Sequence, residues 1–228
     1  MSRSERPAGW ADGPAGFAAP RYGRWVGALA LVILGLITLN TILTPSNGAG
    51  GLAPGARLPP FAVPLAEGTL TGDADIATHP NDGSAGKHPA CAERGTQILN
   101  VCQLYEQGPV VLALFVDSGS CPEVLGDMQA LVPTFPGVRF AGVAIKGRRA
   151  QLRALERSRG LRFPIGIDAD GVLTTLYKTA SCPQLTFAYP GGVAQGRALL
   201  SRPPLAALRA RVATLVAGAR ARGWRPPR

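Results

Sequence analysis

Apolar residues along the chain fall into two patterns: one very long run near the start and several short ones in the second half. Residues 25–43 read WVGALALVILGLITLNTIL, with no charge and only Thr38, Asn40 and Thr41 clearly polar. As a helix at about 1.5 Å per residue, this run just crosses a bilayer core of about 30 Å, and it predicts one N-terminal transmembrane helix. In the second half, residues 110–116 (VVLALFV) and 139–145 (RFAGVAI) are continuous apolar runs of strand length. Such runs mark strands covered on both faces of a sheet. Residues 163–167 read as a brief extended piece and 185–189 as a last strand, followed by a Pro190-Gly191-Gly192 turn and a return ending at Leu199 or Leu200.

Helical periodicity falls between these strands. Residues 123–131 follow Pro122, which suits a first helical turn. Residues 148–159 carry apolar residues at 150, 152 and 155 and stop at Gly160. Residues 172–177 form a short helix after the Asp168-Ala169-Asp170-Gly171 turn. Residues 205–221 form a long amphipathic one with Leu205, Leu208, Val212, Leu215 and Val216 together. Strands alternating with helices predict an α/β sheet. The organisation is a cytoplasmic disordered tail (1–24), the anchor (25–43), a Pro/Gly/Ala linker (44–60), one domain (61–222) and a short tail (223–228). Within the domain, residues 61–65 read as an edge strand limited by Pro64, and residues 68–88 as an irregular polar stretch inside an insertion of about residues 68–108.

Composition and charge sharpen this outline. The net charge of +10 is carried mostly by arginine, but no basic stripe is interleaved with aromatics, so nucleic acid is not expected as a partner. Arg21 and Arg24 directly precede the apolar run, and the next cation after it is Arg57. That asymmetry puts the N-terminus in the cytoplasm and the domain outside it, in a single-pass cell-membrane protein. A cleaved signal peptide, cut near residues 47–51, is the rival reading; the long apolar run and long leader argue for the uncleaved anchor. Asp73, Asp75, Asp82, His79 and His88 crowd the polar insertion, but their spacing matches no standard metal loop. No metal and no cofactor are expected.

The four cysteines carry the candidate chemistry. An even count in an exported domain fits disulfides. Cys91 and Cys102, eleven residues apart, read as a local structural disulfide, for which chain entropy gives about 2.8 kcal/mol. Cys121 follows a buried strand and the segment Asp117-Ser118-Gly119-Ser120, and it precedes Pro122 and a helix. Backbone N–H groups and the helix dipole favour the thiolate there, so a reactive thiol is set against an inert buried one. Cys182 directly precedes Pro183 at the start of the last core strand, a place compatible with a cis bond beside a reactive loop. Loops at strand ends of an α/β sheet converge on one site.

On these residues the chain resembles the thioredoxin-like superfamily, in the flavour of membrane-anchored thiol–disulfide oxidoreductases and redoxins of the alkyl hydroperoxide reductase/thiol-specific antioxidant type. VVLALFVDSGSCPEV (110–124), FAGVAIKG (140–147), GLRFPIGIDADGVLTTLYKTASCPQLTFAYPGG (160–192) and the final helix carry the resemblance. It implies a central mixed sheet flanked by helices, a nucleophile at Cys121 and a cis-proline at Pro183. Two departures stand out: the Trp-Cys-x-x-Cys of the oxidoreductases is absent, and Gln184 takes the place of the redoxins' activating arginine. Ser118 imitates the hydroxyl residue three before the redoxin Cys-Pro. The resemblance places Cys182 across from Cys121, so that the two form a redox-active disulfide between loops. Three functions compete. In a thiol–disulfide oxidoreductase acting on protein thiols and disulfides, Cys121 attacks and Cys182 resolves. In a thiol peroxidase, an antioxidant, Cys121 becomes a sulfenic acid. In a non-catalytic module, both disulfides are structural.

Overall fold

The computed structural model describes residues 23–43, 50–81 and 87–226. The chain divides into two units, residues 1–47 and 48–228. All but the last two residues of the expected disordered tail lie outside the described residues, as do residues 44–49 of the linker and Asp82.

The first unit contains helix α1, Gly23–Leu43. Its side chains are described for residues 25–39, all exposed, with Trp25 at 77% and Leu31 at 71%. Thr38 donates its hydroxyl to the Leu34 carbonyl at 2.8 Å, which satisfies that group within the helix. Among the described residues, no helix is long and apolar enough to cross a membrane.

The second unit is built on a four-stranded sheet. Strands β3 (Val110–Phe115), β4 (Arg139–Ile145), β5 (Ile165–Asp168) and β6 (Gln184–Ala188) lie in the order β5-β4-β3-β6. Strand β3 pairs parallel with β4, β4 pairs parallel with β5, and β6 runs antiparallel to β3. This is the expected mixed sheet. Each residue of β3 is buried, because the sheet is covered on both sides. Val111, Ala113 and Phe115 pack with Leu125 and Met128 of α3 (Glu123–Leu131), Leu152 of α4 (Arg149–Arg159), and Leu208, Val212 and Leu215 of α6 (Leu205–Ala221). Val110, Leu112 and Leu114 point into a second core with Phe61, Leu173 of α5 (Val172–Leu176) and Tyr177. The alternation follows from the two-residue period of a strand.

The later part of the insertion at residues 68–108 is regular. Strand β2 (Ile98–Asn100) pairs antiparallel with β1 (Ala62–Pro64), and α2 (Val101–Gln107) follows at once. Asn100 explains the helix start: its side chain accepts from the Cys102 and Gln103 amides. Val101, Cys102 and Leu104 bury the inner face. Seven helical residues are too few for periodicity to stand out from the polar segment around them. The polar part, from Glu67 to Gly72, is tied down by Arg149 and Arg153. The two guanidiniums donate to the carbonyls of Leu65, Ala66, Glu67, Gly68 and Leu70.

Candidate functional site

Topology alone brings two loops to one end of the sheet. Strands β3, β4 and β5 are parallel, so the loops leaving them open at the same edge. Strand β6 is antiparallel to β3, so the segment entering it, residues 181–183, arrives at that edge too. Cys121 comes from the loop after β3 and Cys182 from the loop before β6. Their Cα atoms are 5.5 Å apart and the sulfurs are joined in a disulfide spanning 61 residues. The Cys182–Pro183 bond is cis, and Pro183 is buried.

The local sequence shapes each side of the bridge. The run of apolar residues continues through Val116, but pairing with β4 ends at Phe115 and Ala144. The Val116 N–H is therefore outside the sheet ladder, and it donates to Cys182 Sγ at 3.1 Å and Cys121 Sγ at 3.4 Å. Gly119, at φ +58°, lets the chain double back in a left-handed conformation toward Cys121. Ser120 then accepts from the Glu123 amide at 3.1 Å as the chain turns into α3. On the other side, the Ser181 hydroxyl donates to the Leu200 carbonyl, which holds the Cys182 loop against the bridge between Leu185 and Leu199.

The two sulfurs occupy different surroundings. Cys121 is 6% exposed and belongs to the core cluster with Phe115, Val124 and Leu125. Cys182 is exposed. Of the sequence-nominated residues, Cys121, Cys182 and Pro183 meet; Ser118 is exposed and donates to neither sulfur. Gln184 is fully buried and gives its amide to the Tyr177 carbonyl at 2.9 Å, so it braces the core beneath the loop rather than facing a thiolate. Arg202 reaches the start of α3 but is engaged by Glu123 and by Asp127, the latter at 2.6 Å.

Three features have no strong sequence signal. The Val116 N–H could be found only by knowing where the ladder ends. Asp168, fully buried at the end of β5, accepts from the Leu173 amide at 3.0 Å while its Oδ1 has no partner among the described residues. Burial, with a further push from Asp170, raises its carboxyl to about 7. Arg202 sits in a Ser-Arg-Pro-Pro loop that periodicity does not place.

Cys91 and Cys102 form the second disulfide, with Cα atoms 5.4 Å apart. It ties the turn at Ala90–Ala92 to α2, and Cys102 is fully buried. All four cysteines are thus paired. Among the described residues, no group of three His, Cys, Asp or Glu side chains could hold a metal ion.

No family model matches the chain, and no curated protein matches its sequence. Solved structures do. A putative thiol:disulfide interchange protein DsbE from Chlorobium tepidum is 16% identical, with a TM-score of 0.50 over 74% of this chain and 98% of that one. A putative protein disulfide isomerase from Bacteroides thetaiotaomicron is 13% identical, with a TM-score of 0.52 over 74% of this chain and 93% of that one. The peroxidoxin BcpB from Mycobacterium tuberculosis is 14% identical, with a TM-score of 0.51 over 75% of this chain and 97% of that one. The fold is thioredoxin-like.

Proposed function

We propose that this chain is a membrane-anchored, extracytoplasmic thiol–disulfide oxidoreductase whose reactive group is the Cys121–Cys182 disulfide. One observation carries the reading: a disulfide joins two loops at the open end of the sheet, with one of its cysteines exposed and a backbone N–H outside the sheet ladder aimed at both sulfurs. A bridge serving structure alone gains nothing from an exposed sulfur, whereas exchange requires one. The N–H stabilises whichever sulfur carries negative charge when the bond opens. The neighbours named for disulfide interchange and isomerisation support the reaction class, with protein thiols and disulfides as substrates.

The thiol-peroxidase reading stands second. A sulfur that attacks peroxide needs a cation beside it, and among the described residues no arginine donates to either sulfur. Gln184, at the position expected for that cation, is turned to the Tyr177 carbonyl.

The anchor rests on the sequence: residues 25–43 carry no charge, are apolar apart from Thr38, Asn40 and Thr41, and as a helix would approach the thickness of a bilayer core of about 30 Å. Arg21 and Arg24 precede this apolar run and favour a cytoplasmic N-terminus.

The decisive assay is disulfide exchange by the purified full chain with a reduced, unfolded dithiol protein. Oxidation of that protein, lost in both Cys121→Ser and Cys182→Ser, is the expected result. Equal rates with and without the two cysteines would leave the domain a binding module. Peroxide consumption lost in Cys121→Ser would select the peroxidase. Retention in carbonate-washed membranes, with the domain cut by protease added from outside, checks the anchor; release into the soluble fraction would remove it.

A further inference from the structure

We propose that the two cysteines divide the exchange reaction unequally: Cys182, not Cys121, is the sulfur that bonds to the partner protein, and Cys121 is the leaving group and resolving thiol. This inference rests on the oxidoreductase reading and reverses the roles that the position of Cys121 suggests.

Access decides the first half. A thiolate attacks a disulfide sulfur along the S–S axis, so the attacked atom must be reachable from outside. Cys121 is 6% exposed and packed among Phe115, Val124 and Leu125. Cys182 is exposed, on a loop held to the edge of the sheet. A macromolecular thiolate can reach the second sulfur but not the first without opening the core.

Charge decides the second half. When the partner thiolate attacks Cys182 Sγ, the Cys121–Cys182 bond breaks and its electron pair stays on Cys121 Sγ. That sulfur already lies 3.4 Å from the Val116 amide and immediately before α3, whose first turn is the positive end of the helix dipole. Glu123 would oppose a negative charge there, but Arg202 is paired with it. Exchange then completes as the partner's second thiolate attacks its own sulfur in the mixed disulfide. A disulfide forms in the partner, and Cys182 leaves as thiolate toward the same Val116 N–H, 3.1 Å away. The partner dithiol loses two electrons and two protons, and Cys121 and Cys182 gain them. In the reducing direction the order reverses: Cys182 attacks the partner disulfide and Cys121 resolves it. One backbone donor thus serves both thiolates in turn.

The test uses the oxidised full-length protein and glutathione as a monothiol probe, quenched with acid and mapped by mass. Cleavage at Lys178 and Arg197 puts Cys182 on a peptide free of other cysteines, while Cys121 shares its peptide with Cys102. We expect glutathione on Cys182 in at least about tenfold excess over Cys121. In parallel, Cys121→Ser should react with a small aromatic disulfide at least about tenfold faster than Cys182→Ser. Glutathione mainly on Cys121, or equal labelling, overturns the division of roles while leaving the oxidoreductase standing. A Cys121–Cys182 bridge that no thiol opens in the folded protein overturns both.

Discussion

The Val116 N–H is a main-chain group, so it can be removed without touching either cysteine. Val116→Pro deletes the donor and keeps an apolar side chain. Phe115 before it lies in a strand, the conformation a residue before proline prefers, and Val116 lies beyond the β3–β4 pairing, so no ladder bond is lost. A hydrogen bond to a charged acceptor contributes about 1.5–3 kcal/mol. Sulfur is a weak acceptor, so the lower end applies, and about 1.4 kcal/mol is tenfold in an equilibrium constant. In the reduced protein, the fraction of Cys182 present as thiolate at pH 7 should fall about tenfold, and its alkylation rate with it. The assay follows iodoacetamide capture of Cys182 by mass after brief reduction. Val116→Ala keeps the N–H and serves as the control, with wild-type reactivity. Equal rates in all three proteins would refute the role of the amide. A loss as large in Val116→Ala would show that the side chain, not the donor, matters.

Other expectations concern stability. Glu156 is 7% exposed beside a cavity of about 310 Å³, and burial, aided by Glu67 and opposed by Arg153 and Arg157, raises it from 4.5 to about 7. The folded state therefore keeps a proton that the unfolded state has lost between about pH 4.5 and 7. Stability falls as pH rises through that window, and the cost is complete above it. Glu156→Gln should flatten this slope and add about 1–2 kcal/mol at pH 8 with little change near pH 4.5, a discount on the full shift for residual solvation; urea melts at the two pH values check it, and an equal effect at both would refute the burial argument. Asn100→Ala should cost about 3 kcal/mol, because it removes the cap of α2 and orphans the Ala90 and Glu93 carbonyls that the side chain holds at 2.7 and 2.8 Å. A loss under about 1 kcal/mol in the same melts would mean that water replaces it.

The sequence determined more of the sheet than of the chemistry. Residues 110–116 and 139–145 announce buried strands because both faces of each are apolar, and a central strand has no solvent face to mark with polar residues. The helices at 149–159 and 205–221 are legible for the opposite reason: one side of each is wet. Cys121 and Cys182 could be nominated from their places at strand ends and from the resemblance of their flanking segments. Helix α2 was illegible: seven residues make two turns, and the Asn100 side chain that caps its start is itself held by carbonyls ten and seven residues back. The direction of β6 was equally hidden from local pattern, yet it alone carries residue 182 to the edge where residue 121 lies. Which cysteine faces solvent is likewise decided in three dimensions. Side chains from Phe115, Val124 and Leu125 close over one sulfur, and no spacing along a chain records which neighbours will cover an atom.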